Sequence, residues 1–218
     1  MQPTFFPWIG YFSLIKSVDT FVFLDDVEYS SQSWQTRNYF LISKQPSWIT
    51  VPICSSSKTR LNEAQISALD RFLMKSQKTL IQAYAKSNKR YIIDDLFDFI
   101  RSQQVGNLSE LNIAIIVYFS NYLELNQTFI KSSSLQSTKT KSDKVNEILT
   151  SLNAEKYISA PGSKQYMSEF GIDKFYCDVI FFDYNSSKSV SGYDDLGVNL
   201  SVLHSVMNYS KAEILNAI

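Results

Sequence analysis

The chain has little cysteine or histidine, no surplus of either charge and no long apolar run. Cys54 and Cys177 are too few for a disulfide framework, and no metal-ligand spacing surrounds them. They read as small, partly buried hydrophobes. His204 is the single histidine, so no His-pair metal site and no Cys-His-Asp constellation can be assembled. Lying beside Leu203 and Val206 in a helical pattern, it reads as structural. The 21 Lys and Arg balance the 21 Asp and Glu, which leaves no electrostatic footprint for nucleic acid or an anionic membrane surface. The run Ile113–Phe119 is far short of the ~20 residues a membrane span needs. The first residues lack the basic and apolar segments of a signal peptide, so a cytoplasmic protein is expected.

What the chain does have is length and aromatic rings. Its 218 residues suit one large domain, able to bury roughly 70% of the surface its unfolded form exposes. Many of the 15 Phe, 13 Tyr and 3 Trp must lie in the core, but Tyr and Trp also build ligand pockets.

Periodicity orders the elements. Trp8, Ile9, Phe12 and Ile15 recur at helical spacing after Pro7, which suits a first turn. Thr20–Leu24 is an apolar, β-rich run of sheet-centre type, ending in Asp25 and Asp26. A helix this early should follow a strand, so either Gln2–Phe6 is a stub of one or a strand precedes the chain as given. Tyr39–Ile42 and Trp48–Ile53 read as a hairpin around Ser43–Pro46. Three helical patterns then fall between residues 63 and 125, the last, Leu108–Leu123, being the most apolar. Strands at Thr128–Ile130, Lys156–Ser159 and Asp178–Phe182 alternate with helices. Ser132–Asp143 reads as a loop, Gly171 as a helix stop, and Ser210 with Glu213 as a capping box. The expected fold is α/β, a mainly parallel sheet flanked by helices, in one domain over 1–218 with a helical insertion at 63–125.

Three segments, Met1–Phe12, Asp19–Val27 and Ser31–Asn38, strongly resemble the opening of the WbqC-like family. Trp48–Pro52, the helix with Lys75, Lys78 and Tyr84, the helix with Leu108 and Asn112, and Tyr157–Tyr166 resemble later signatures of that family. The likeness spans nearly the whole chain and thins after Asp183, where Ser-rich Asn185–Asp194 replaces a Pro- and Gln-bearing segment. It implies a place in gene clusters for O-antigen and other surface polysaccharides without implying a particular reaction. Members of the family carry a few more residues ahead of the Gln-Pro, forming an apolar first strand.

Strand, loop, helix, strand is also the opening of nucleotidyltransferase-like folds, whose histidine motif is absent here. In the matching slot Gly10 would let a ligand approach the backbone, and the helix start would favour an anion. Trp8 and Tyr11 read equally well as a wedge seating the helix on the sheet. Asp25 and Asp26, at a strand's carboxyl end, would serve as base, ribose ligand or metal ligand; the plain alternative is a cap or a partner for Arg37. Trp34, Arg37 and Asn38, with Tyr29 nearby, form a stacking-plus-fork set for a phosphate or carboxylate. Gly162 and Ser163 before a helix, with Tyr166, resemble a small anion site or a capped Pro-Gly turn. Candidate catalytic residues are therefore Asp25, Asp26, Arg37 and Tyr11. Candidate binding residues are Gln2, Pro7, Trp8, Gly10, Tyr29, Trp34, Asn38, Gly162, Ser163 and Tyr166. No metal is implied, and neither a cofactor nor an oligomeric state is legible. The expected function is a transferase acting on a nucleotide-linked amino sugar, by acyl or aminoacyl transfer. The alternative is a non-catalytic binding or scaffold subunit of a polysaccharide assembly system.

Overall fold

Helix α1 (Ile9–Lys16) buries every residue except Lys16, because it lies between strand β1 (Thr20–Phe23) and the C-terminal helices. The Lys16 ammonium reaches across to donate to the Leu215 and Ile218 carbonyls at 2.9 and 3.0 Å. It thereby serves the open carbonyls where the last helix ends. The structure, a computed structural model, describes residues 1–56 and 58–218, with all their side chains except those of Tyr166, Ser186 and Tyr193.

Strand β1 pairs in parallel with β4 (Thr128–Lys131), Phe21 opposite Phe129 and Phe23 opposite Lys131. On the other edge of β1 the Met1 amino group donates to the Val22 carbonyl, and Leu24 N–H donates to Met1 O at 2.9 Å. That alternation is a parallel ladder. The segment ahead of Pro7 therefore starts beside β1 before turning away. It is held there by side-chain amides: Asn112 donates to Pro3 O, Asn38 to Phe5 O and Phe6 O.

Strands β2 (Arg37–Ile42) and β3 (Gln45–Thr50) form an antiparallel hairpin. Its loop is Ser43–Lys44, with φ of 52° and 64°. Two left-handed residues in succession match the twist of the strands, so the turn is shorter than the four-residue Ser43–Pro46 expected. Pro46 falls inside β3, which is tolerated because β3 has only one neighbour.

Helices α2 (Leu69–Ala83), α3 (Tyr91–Ser102) and α4 (Leu108–Tyr122) stand where the periodicity puts them. Asn107 caps α4 by accepting from Glu110 N–H. Leu80, Leu96, Ile100, Ile115 and Phe119 carry these helices into the main core. There Phe5, Phe6, Phe40 and Phe119 meet edge to face.

Helix α5 (Lys141–Ser151), strand β5 (Lys156–Ser159), helix α6 (Lys164–Phe170) and strand β6 (Asp178–Phe181) follow. β5 and β6 pair in parallel. Val145, Leu149, Met167 and Phe175 form a second, smaller apolar cluster. The expected loop at Ser132–Asp143 is in part a 3-10 turn, Ser132–Leu135, and its end is already the start of α5. Helices α7 (Tyr193–Leu196), α8 (Val202–Asn208) and α9 (Lys211–Ala217) end the chain. The Ser210/Glu213 capping box is in place, and Gly171 closes α6 at φ 101°.

The architecture is mixed α/β with small parallel sheets. Among the described residues the strands form three two-stranded sheets, two parallel and one antiparallel, rather than one continuous sheet. Strands β1, β4, β5 and β6 have four residues each. So short a strand offers few ladder bonds, and side chains at its ends do much of the joining.

Candidate functional site

The carboxylates after β1 meet the residues after β4, as two adjacent parallel strands require. Asp25 accepts from Ser133 N–H at 2.9 Å, from the Ser133 hydroxyl at 2.6 Å and from the Ser132 hydroxyl at 3.2 Å. It is 2% exposed and has no ion-pair partner among the described residues. Asp26 accepts from the same Ser132 hydroxyl and pairs with the Lys144 ammonium of α5. Burial pushes the Asp26 carboxyl upward, but the hydrogen bonds from Lys144 and Ser132 and the ammonium's charge outweigh it. The carboxyl is held below the ordinary carboxylate value. The result is a nearly dry cluster of two carboxylates, two hydroxyls and one ammonium at the carboxyl ends of β1 and β4. Among the described residues no three metal-ligating side chains gather.

The front loop points elsewhere. A Cβ on Gly10 would overlap the Trp8 indole, so the space beside that glycine backbone belongs to Trp8. Trp8 in turn packs on Tyr184 at 5.3 Å, just past the end of β6. Tyr11 is buried and donates to Gln2 O at 3.0 Å. Burial, then the nearby Tyr184, pushes its phenol well above the usual range. Burial pushes Tyr184 to about 12. Pro7 O accepts from Val202 N–H at the start of α8. The Gln2 amide oxygen accepts from Gln35, and Asn38 holds the Phe5 and Phe6 carbonyls. Tyr29 is buried with its hydroxyl on Ser55 O.

Trp34 and Arg37 gather on the hairpin with Tyr39 and Trp48. Tyr39 and Trp48 stack at 3.7 Å, Trp34 lies 5.5 Å from Trp48, and the Arg37 guanidinium sits 4.3 Å from the Trp48 ring centre. With Gln32 and Ser33 they line an open cavity of about 280 Å³. No hydrogen bond or ion pair among the described residues joins Arg37 to either acid.

Gly162 and Ser163 follow β5. Ser163 donates to Ala160 O at 2.7 Å and lies 2.7 Å from the Ser159 hydroxyl, while nothing crowds Gly162. The Tyr166 side chain lies outside the described residues. The structure thus groups Asp25 with Asp26, Trp34 with Arg37, and Gln2 with Tyr11, and it keeps these groups apart in their contacts.

Sequence reasoning passed over Ser132, Ser133 and Lys144 as site residues. The serines follow a strand in the manner of Asp25, which is a usable signal. Lys144 is one of three lysines in Lys139–Lys144, and nothing local distinguishes it.

The pattern of the WbqC-like protein family matches residues 2–215. The chain belongs to that family. This WbqC-like chain is also similar to an uncharacterized protein of Mycobacterium tuberculosis, 27% identical over 187 residues, covering 85% of this chain and 81% of that protein. No solved structure matches. No helix among the described residues is long and apolar enough to cross a membrane.

Proposed function

We propose that this WbqC-like chain is a cytoplasmic transferase in O-antigen or surface-polysaccharide biosynthesis, acting on a nucleotide-linked amino sugar. In this reading the chain has a nucleotidyltransferase-like opening, and residues 63–125 are a helical insertion in a single domain. The observation that carries it is the Asp25–Asp26–Lys144 cluster at the carboxyl ends of two parallel strands, where α/β folds hold their ligands. Asp26 is neutralised by Lys144, so the carboxylate left to face an amino sugar's ammonium is Asp25, which has no counter-charge among the described residues. In acyl or aminoacyl transfer the ammonium first loses one proton to solvent, and the amine nitrogen then attacks the acyl carbon as the bond to the leaving group breaks. The carboxylate takes the second nitrogen proton and passes it to that leaving group.

Calorimetry of the intact protein against nucleotides and nucleotide-linked amino sugars tests the reading, with Asp25→Asn and Asp26→Asn alongside. Binding that weakens in these variants supports it. If the unmutated protein binds none of these ligands, the reading fails. One observation favours the scaffold alternative: the oxygens of both acids are already engaged by Ser132, Ser133 and Lys144. A stable stoichiometric partner recovered from cell extract, with no small-molecule binding, would select it.

A further inference from the structure

We infer that the hairpin cavity lined by Gln32, Ser33, Trp34, Arg37, Tyr39 and Trp48 is a binding site for a single ring bearing an oxyanion. A sugar phosphate and a uronate share that chemistry.

The first argument is the state of Arg37. It is half-buried, its Nε is shielded from solvent without a hydrogen-bond partner, and no carboxylate pairs with it among the described residues. A shielded N–H without an acceptor is costly. The guanidinium lies over the Trp48 ring, and its remaining N–H donors offer a fork for a carboxylate or phosphate.

The second argument is the rings. Tyr39 and Arg37 both lie against Trp48, which is 38% exposed, so the more open ring is Trp34, 51% exposed. An exposed indole beside a guanidinium is costly surface for a plain hairpin and a good platform for a flat ring.

Volume sets the size. At about 280 Å³ the cavity lies just below the roughly 300–1,000 Å³ range of ligand pockets. That admits one ring and its anionic group, and not a whole nucleotide sugar. Sign sets the charge, since no acidic residue lines the cavity.

This site stands independently of the transfer reading, and either can fail alone. Two of the three tryptophans, Trp34 and Trp48, lie in the cavity, so intrinsic fluorescence reports on it; Trp8→Phe removes the third. The test titrates this protein with glucose 1-phosphate and glucuronate, using glucose and inorganic phosphate as controls. The expected result is a saturable fluorescence change with at least one of the two anionic rings, and tighter binding than of the neutral ring. Arg37→Gln should weaken that binding roughly tenfold to a hundredfold, as the loss of a charged hydrogen bond does. Trp34→Ala, a change at a half-exposed position, should weaken it as well while leaving the thermal midpoint unchanged. Arg37→Lys should restore only part of the loss, because it keeps the charge and loses the fork. No saturable change with either anionic ring, or equal binding by the neutral ring or by Arg37→Gln, overturns the assignment.

Discussion

Lys144 and Asp26 form an ion pair with side chains only 7% and 9% exposed, joining α5 to the end of β1 across 118 positions of sequence. Burying two charges is expensive, and their attraction only offsets that cost when both are present. This pair is therefore a sensitive point of the fold as well as of the proposed chemistry.

Removing the ammonium alone should be severe. Lys144→Ala leaves a buried carboxylate without a counter-charge, and the expected loss is about 3–5 kcal/mol of unfolding free energy. Urea denaturation of the two proteins measures it. The double variant Lys144→Met with Asp26→Leu should recover most of the loss. A recovery of none would mean that the pair does more than neutralise itself.

Acid should act through Asp26. Its folded value lies below the ordinary one, so its contribution is present above the ordinary carboxylate range and is lost as pH falls through the folded value. Denaturation midpoints between pH 7 and pH 2 should fall more steeply for the unmutated protein than for Asp26→Asn. Identical slopes would contradict this assignment.

His204 should act at milder pH. Burial holds its imidazole below the ordinary value of 6.5, with the Asp195 charge opposing. The unfolded chain then binds the proton first, so stability is complete above about pH 6.5 and declines as pH falls towards the folded value. His204→Gln should flatten that part of the stability profile, as followed by thermal melts at pH 5 to 8.

Gly10 and Trp8 should be coupled. Gly10→Ala places a methyl where the indole lies, and overpacking of this kind costs about 1–3 kcal/mol. In a Trp8→Ala background the same change should be harmless or mildly favourable, because alanine suits a helix better than glycine. A double-mutant cycle reads the coupling; additive effects would show that the glycine is needed for something besides the ring.

Asn38 should behave as a structural residue. Asn38→Ala leaves the Phe5 and Phe6 carbonyls without their donor, an expected loss of more than about 2 kcal/mol. If chemical denaturation shows Asn38→Ala as stable as the parent while ligand binding suffers, its part is in recognition instead.

Much of the scaffold is written locally. The recurrence of Leu69, Leu73 and Leu80 and of Ile93, Leu96 and Ile100 places α2 and α3, the apolar stretch Leu108–Leu123 places α4, and apolar runs place β1 and β6. The hairpin loop differs from the sequence expectation by two residues, because the proline that reads as a turn occupies an edge strand. The break into three small sheets was not legible either. Pairing depends on which short strands come to lie side by side, and a strand's own residues encode only that it is one.

The sequence alone determined where most helices and strands lie, and that two carboxylates stand at the end of a strand, since each follows from neighbours a few positions away. Only the tertiary structure decided that Ser132, Ser133 and Lys144 close around those carboxylates, that Trp8 fills the space beside Gly10, and that Arg37 turns to Trp48 rather than to the acids. Charge pairing and ring stacking act over a few ångströms of space. Chain folding sets those distances, and sequence separation does not.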